Sequence, residues 1–302
     1  MISVTTSDGD TSFPLFGKPL TTGAEGGGNR MRMHGIERNG MDTRFKISKE
    51  AGSLGAIITG IDLRDEVDDV LLDQLHNASL EHLVICIRGQ QELTPDQQIE
   101  FARLWGVIEP HPYVDPIEGY PEMIRIYDPN PLTETWHTDF SYAKAPPALS
   151  FLLARTVPPY GGDTLFSSSY RVFEDLSEGL KTTLRGLSAV HEGTALALSK
   201  GLTIDDIRSV HPIVAIHPET GRELLNVNSC YVKNIEGWKV DEGAPLLAYL
   251  CSLFEHVEYT YRHRWHDGDL LIWDNRCLQH RVVGDTDGQK RDLHRVTVAV
   301  ET

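Results

Sequence analysis

Trp136-His137-Thr138-Asp139-Phe140 is the stretch from which the rest of the chain can be read. A histidine and an aspartate stand two residues apart in it. On an extended strand, residues i and i+2 project to the same face. The spacing therefore aims an imidazole nitrogen and a carboxylate oxygen at one point, and it predicts a β-rich scaffold to hold them there. Two such ligands joined by a distant second histidine make a facial triad, the arrangement that holds non-haem Fe(II) and leaves positions open on the metal. His-x-Asp is common by chance, so the reading depends on what the remaining chain supplies.

The second histidine is sought among 13. His280 is the best candidate. The apolar run Leu270-Leu271-Ile272-Trp273 enters the polar turn Asp274-Asn275-Arg276 and returns through Cys277-Leu278-Gln279-His280. A side chain on such a returning strand can point into a barrel mouth, where ligand sites lie. Downstream, Arg291, Leu293 and Arg295 share one parity, so both guanidinium groups face the same way on a strand. Two guanidinium groups aimed into an apolar interior are costly unless each meets an anion. The forked donor suits a carboxylate or sulfonate. The competing reading of Arg291 is a surface ion pair beside Asp285-Thr286-Asp287.

Elsewhere the pattern is of short strands with a few helices. Alternation marks Arg44-Phe45-Lys46-Ile47, and Val70, Leu71, Leu75 and Leu80 recur at helical spacing over 68–82. Leu83-Val84-Ile85-Cys86-Ile87 reads as a buried strand. Thr94 caps a second helix, with Pro95 at its first position, and Gly106 ends it. Strands are expected at 123–127, 149–153, 213–216, 224–227, 259–261, 270–273 and 296–300. A third helix is expected over 169–186 and another over 244–256. Residues 192–210 have weak periodicity and read as a mobile loop or lid over a site. The fold expected is mainly β with flanking helices, α+β in class, as a sandwich or barrel. One domain over 43–302 is expected, after a polar, Gly-rich extension over 1–42 that is expected to be disordered.

The bulk numbers bound the function. The chain has 302 residues, 40% hydrophobic, with a net charge of -16. That balance argues against a nucleic-acid partner. No apolar run is long enough to cross a membrane, and no signal-peptide order is seen at the N-terminus. Cys86, Cys230, Cys251 and Cys277 form no Cys-x-x-Cys pair, so they are expected to be free thiols in a reducing cytoplasm. The same His/Asp/His set could also serve a zinc hydrolase, or survive as a vestige in a non-catalytic binding protein.

Four segments taken together are similar to the taurine dioxygenase / 2,4-dichlorophenoxyacetate dioxygenase family: Trp136 to Asp139, Gly161-Gly162-Asp163-Thr164, Trp273 to His280, and Arg291 to Arg295. The resemblance runs from about Phe45 to Val300. It implies a double-stranded β-helix (jelly-roll, cupin-like) core and an Fe(II)- and 2-oxoglutarate-dependent dioxygenase that consumes O2. The reaction implied is hydroxylation of a small organic acid, with decarboxylation of 2-oxoglutarate to succinate and carbon dioxide. By the same resemblance His137, Asp139 and His280 are the metal ligands, and Thr164 and Arg291 hold the far carboxylate of 2-oxoglutarate. His111, Tyr231 and Arg295 are then the substrate-binding residues, and a homodimer or homotetramer is expected. Thr133 stands where taurine dioxygenase has an asparagine, and the stretch between Gly186 and His211 is shorter, which weighs against taurine itself. Ile117 to Pro121 and Ile235-Glu236-Gly237 are reminiscent of the phenoxypropionate branch. The acid classes in view are therefore sulfonates, alkyl sulfates and aryloxyalkanoates.

Overall fold

The computed structural model describes residues 44–127 and 135–299. The extension over 1–42, the turn at Asn130-Pro131 and Thr133 lie outside the described residues. Strands β1 (Lys46–Lys49) and β2 (Ala56–Thr59) lead into helix α1 (Asp69–His82), strand β3 (Val84–Ile87) and helix α2 (Pro95–Arg103). Asp68 caps α1 by accepting from the Leu71 N–H. Leu71, Leu75 and Ala78 form its buried face, whereas Val70 points to solvent. At α2 the Thr94 hydroxyl and the Gln97 amide satisfy each other's backbone N–H groups, with Pro95 in the first turn, where its missing N–H costs nothing.

Short strands β4 (Val107–Ile108) and β5 (Pro116–Ile117) precede the long strands β6 (Tyr120–Tyr127) and β7 (Leu149–Thr156), then β8 (Thr164–Ser168). The helix expected over 169–186 is two helices, α3 (Ser169–Glu174) and α4 (Glu178–Leu184). Ser177 starts a new helix by accepting from the Leu180 N–H; a serine cap, overlooked in a continuous apolar pattern, sets the break. Strand β9 (Ser188–Glu192) follows, then helix α5 (Thr194–Lys200), a 3-10 turn over Ile204–Ile207 and strand β10 (Arg208–Pro212). Residues 192–210 thus carry regular structure rather than a plain loop. Their periodicity is weak because Ala197 and Ile207 are the main buried anchors there. The chain finishes with β11 (Val214–Ile216), β12 (Glu223–Leu225), β13 (Val232–Ile235), α6 (Val240–Ser252), β14 (Thr260–His263), β15 (Leu270–Asp274), β16 (Leu278–Val282) and β17 (Asp292–Ala299).

The large sheet runs β1-β2-β3-β15-β7-β17-β6-β5, with β4 on β17; a smaller sheet runs β14-β8-β16. All pairings are antiparallel except β2 with β3. The large sheet is covered on both faces, which explains its near-continuous apolar strands. Along β15, Leu270 and Ile272 pack towards α1 and α2 with Phe151, Leu153, Val296 and Val298. Leu271 and Trp273 point the other way, meeting Phe166, Tyr261 and Leu278 of the smaller sheet together with Leu152 and Leu293. The molecule is thus sheet-rich with flanking helices, and polar residues that interrupt the inner face of the sandwich collect at one place. No helix among the described residues is long and apolar enough to cross a membrane. All four cysteines are free.

Candidate active site

His137 and His280 form an isolated antiparallel bridge in which each backbone N–H donates to the other's carbonyl, at 3.1 and 2.9 Å. Residues directly opposite in such a pair project their side chains side by side. The imidazole centroids are accordingly 4.2 Å apart. The extended segment expected around His137 is only this one bridge. Asp139 already belongs to a turn, and Phe140 has a φ of 50°, a left-handed conformation that costs a bulky residue energy. The tight turn still brings the carboxylate back to the histidines. Asp139 Oδ1 lies 3.8 Å from His137 Nε2 and 3.7 Å from His280 Nε2.

The three groups are deeply buried. Burial pushes the His280 pKa down to about 3, with the neighbouring His137 adding to the effect. Burial likewise lowers His137. Both rings are therefore neutral near pH 7. His137 holds its Nδ1 proton against the Thr135 carbonyl at 2.8 Å, which leaves an Nε2 lone pair facing the centre. Burial alone would raise Asp139, but the Arg295 guanidinium, then His280 and His137, keep it well below the usual carboxylate range.

These features fit a divalent metal. Two other His/Asp/Cys clusters occur among the described residues, Cys86-His263-Asp269 and His217-Asp274-Cys277. In them the lone pairs are already used. His217 Nδ1 accepts from the Glu219 and Thr220 N–H groups, so its Nε2–H donates to Asp274. His263 is bonded through both nitrogens, to Tyr261 and Asp269. At the third set, Asp139 Oδ1 lies beyond hydrogen-bond distance of both the His137 and the His280 Nε2 atoms, so neither contact uses up a lone pair.

Beside the histidines opens a cavity of about 320 Å³ lined by His280, Trp273, Thr164, Arg291, Arg295 and His111, with an apolar side from Ile124, Ile126 and Leu152. Arg291 is only 2% exposed, which overturns the surface ion-pair reading. The partner of Asp285 is Arg262, which also pairs with Asp163 at 2.6 Å. Arg291 Nε donates to the Gly162 carbonyl at 3.1 Å and Nη2 to Thr164 Oγ1 at 3.4 Å. The Trp265 indole N–H also donates to Thr164 Oγ1, at 3.0 Å. Gly162 needs to be glycine: its φ is 67°, and a Cβ would stand 2.9 Å from Thr286 Cγ2 and 3.1 Å from Arg291 Cδ.

Arg295 reaches the site from β17. Its Nη2 lies 2.6 Å from Asp139 Oδ2, and its Nε is buried without a hydrogen-bond partner among the described residues. His111 Nδ1 accepts from the Tyr113 and Val114 N–H groups, so the neutral ring carries its proton on Nε2. Burial, then Arg295, pushes its pKa down to about 4. Tyr231 packs edge-on to His137, centroid to centroid 6.3 Å, and is not among the residues lining the cavity. Two residues escaped the sequence reading. Ser150 donates to Asp139 Oδ2 at 2.9 Å, and Asn275 Nδ2 donates to Ser150 Oγ at 2.9 Å. The available signal was a serine interrupting the apolar strand Leu149-Ser150-Phe151-Leu152-Leu153.

Known proteins share this arrangement of sequence and fold. The alkylsulfatase of Acinetobacter baylyi is 33% identical over 273 residues, covering 85% of this chain and 86% of that protein. The alpha-ketoglutarate-dependent sulfate ester dioxygenase of Pseudomonas putida is 32% identical over 266 residues, covering 83% and 88%. The crystal structure of a taurine dioxygenase from Burkholderia xenovorans superposes with a TM-score of 0.77 at 31% identity, covering 85% of this chain and 90% of that one. The model of the family described as taurine catabolism dioxygenase TauD, TfdA matches residues 46–297, and the chain belongs to that family.

Proposed function

We propose that this chain is an Fe(II)- and 2-oxoglutarate-dependent dioxygenase that hydroxylates a small anionic organic acid, with alkyl sulfate esters the favoured class. The observation that carries the reading is one cavity walled at once by His280, by the buried Thr164–Arg291 pair and by Arg295. It offers two separate cations. Arg291 with Thr164 suits the far carboxylate of 2-oxoglutarate, and Arg295, with its unpartnered Nε, suits the acid group of the substrate. His111 offers an Nε2–H donor beside it. The apolar side formed by Ile124, Ile126 and Leu152 suits a hydrocarbon chain behind a charged head, and the similarity to sulfate ester enzymes points the same way. Tyr231 acts through the His137 ring that it packs against.

His137, Asp139 and His280 would hold the iron. When bound, the iron and co-substrate supply the oxidising chemistry: one oxygen atom of O2 enters a substrate C–H bond, and the other enters the succinate formed as 2-oxoglutarate loses carbon dioxide. The protein's part is to orient the target carbon and exclude water. If the hydroxylated carbon carries the sulfate oxygen, the product collapses to an aldehyde and free sulfate.

The catalytic fold is read as a double-stranded β-helix over residues 43–302, supported by the two facing sheets. The chain is further read as cytoplasmic and without a nucleic-acid partner, supported by free cysteines and the acidic charge, and as a homo-oligomer, which the sequence resemblance alone implies. The test is a succinate-release screen over alkyl sulfates, sulfonates and aryloxyalkanoates, with His137→Ala and Asp139→Ala as blanks. Highest turnover is expected with alkyl sulfates and none with the blanks. Product formed without O2 or without 2-oxoglutarate would refute the proposal and favour a zinc hydrolase.

A further inference from the structure

We infer that Ser150 and Asn275 are positioning residues that tie down one oxygen of Asp139, so that the carboxylate meets the metal through Oδ1 alone. The inference rests on the metal site proposed above. It begins at Trp273, whose indole N–H can only donate. That N–H donates to Asn275 Oδ1 at 2.8 Å, which fixes the orientation of the amide. Asn275 Nδ2 must then donate, and it does so to Ser150 Oγ at 2.9 Å. Arg295 Nη2 also donates to Ser150 Oγ, at 3.3 Å. With those contacts accepted from groups that have no lone pair to offer, the single hydroxyl proton of Ser150 is directed to Asp139 Oδ2 at 2.9 Å. The relay runs in one direction only.

Its endpoint is the oxygen that faces away from the histidines. Oδ2 receives Ser150 and the Arg295 guanidinium, the latter at 2.6 Å, while Oδ1 faces both Nε2 atoms. Trp273, Asn275, Ser150 and Asp139 are all at most 4% exposed, so water does not replace any lost link. Without the serine, Oδ2 keeps only the Arg295 contact, and the carboxylate is freer to turn both oxygens to the metal. That would strengthen its own hold and take up a position a chelating 2-oxo acid needs. The relay also joins two sites, because Trp273 lines the cavity beside His280 and Thr164.

The test uses the full chain loaded with Co2+, with two dissociation constants read by calorimetry: that of Co2+, and that of 2-oxoglutarate at saturating Co2+. Ser150→Ala keeps both histidines, Asp139 Oδ1 and the Arg295 contact, so its Co2+ Kd is expected within about threefold of the natural chain, while its 2-oxoglutarate Kd rises about tenfold, the low end of what lost partners behind a metal ligand cost in metal affinity or activity. Ser150→Thr restores the hydroxyl and is expected to restore 2-oxoglutarate binding. Asn275→Leu breaks the relay one step earlier and should show the same split, which serves if Ser150→Ala does not fold. Equal weakening of both constants, the mark of general loosening, overturns the inference, as does an unchanged 2-oxoglutarate Kd. If the natural chain itself shows no cobalt-dependent binding of 2-oxoglutarate, the dioxygenase reading fails and the relay falls with it.

Discussion

Replacing Arg291 isolates the proposed co-substrate half of the site. The guanidinium is 2% exposed and sits between the Gly162 carbonyl, the Thr164 hydroxyl and the Trp265 ring, whose centroid is 5.6 Å away. A carboxylate that meets it there is shielded from water, so truncation removes one member of a buried charge pair. That loss is typically about 2–5 kcal/mol, or roughly 30-fold to several thousand-fold in Kd. Arg291→Ala is therefore expected to weaken 2-oxoglutarate at least 30-fold, on the order of the lower bound, while Co2+ affinity stays unchanged. Arg291→Lys keeps the charge but loses the fork and the Nε–H donated to Gly162. A loss of about one charge-assisted hydrogen bond, roughly 1.5 kcal/mol, predicts a weakening of about tenfold. Anaerobic titration of the metal-loaded protein with 2-oxoglutarate measures both, and a thermal melt confirms folding. A folded Arg291→Ala protein whose 2-oxoglutarate Kd lies within threefold of the natural chain would refute the assignment.

Other expectations follow from the same geometry. Arg295→Ala should weaken the anionic substrate by about 2–5 kcal/mol, and because it also frees Asp139 Oδ2 it should weaken 2-oxoglutarate in the same sense as Ser150→Ala; an unchanged substrate KM would remove Arg295 from that role. Gly162→Ala forces a side chain onto a φ of 67° and against Arg291 Cδ. A cost of about 1–3 kcal/mol should lower the melting temperature by several degrees and weaken 2-oxoglutarate together. The metal-free chain should be acid-labile. His191 is fully buried, and burial, then His211, pushes its pKa down to about 3, while His280 is held equally low. Each takes up a proton near pH 6.5 only when unfolded, so their support is complete above that pH and is lost as pH falls towards 3. His191 alone is worth on the order of 2 kcal/mol between pH 7 and 5. Urea unfolding at those two pH values measures the loss, and equal or greater stability at pH 5 would contradict it.

Much of the site was legible because polar groups on strands that should be apolar leave a mark in one dimension. His280, Arg291 and Arg295 each interrupt or flank an apolar run; both arginines line the cavity, although Arg291 precedes β17 and the register on β7 slips between Asp292 and Leu293, so parity alone does not place them. The helix at 69–82 was legible through the spacing of Val70, Leu71, Leu75 and Leu80, and that at 95–103 through Thr94 and Pro95, whose capping chemistry is local. What stayed hidden depends on contacts far apart in the chain. Asp139 reaches the histidines by a turn and not by strand alternation, because the backbone reverses at Phe140. Ser150 read as one residue of a buried strand, since nothing within five residues shows that Asp139 lies above it. Asn275 read as a turn residue, since its partner Ser150 is 125 positions away.

The same contrast explains why the metal site and the substrate site differ in how far they can be read. A metal needs lone pairs, and few residue types carry them, so His137, Asp139 and His280 stand out by identity. A substrate tail needs only shape, and shape here comes from Val114, Ile124, Ile126 and Leu152, residues as common in any core. On the proposed reading Arg295 belongs to both sites. Nη2 of its guanidinium holds Asp139 Oδ2, and the Nε–H of the same fork has no partner among the described residues. An acid that accepts from that Nε–H draws on the same cation that steadies Asp139. On the proposed assignment, recognition of the anion and the setting of the iron ligand are linked through one side chain, and a substrate lacking the acid group would leave Arg295 on Asp139.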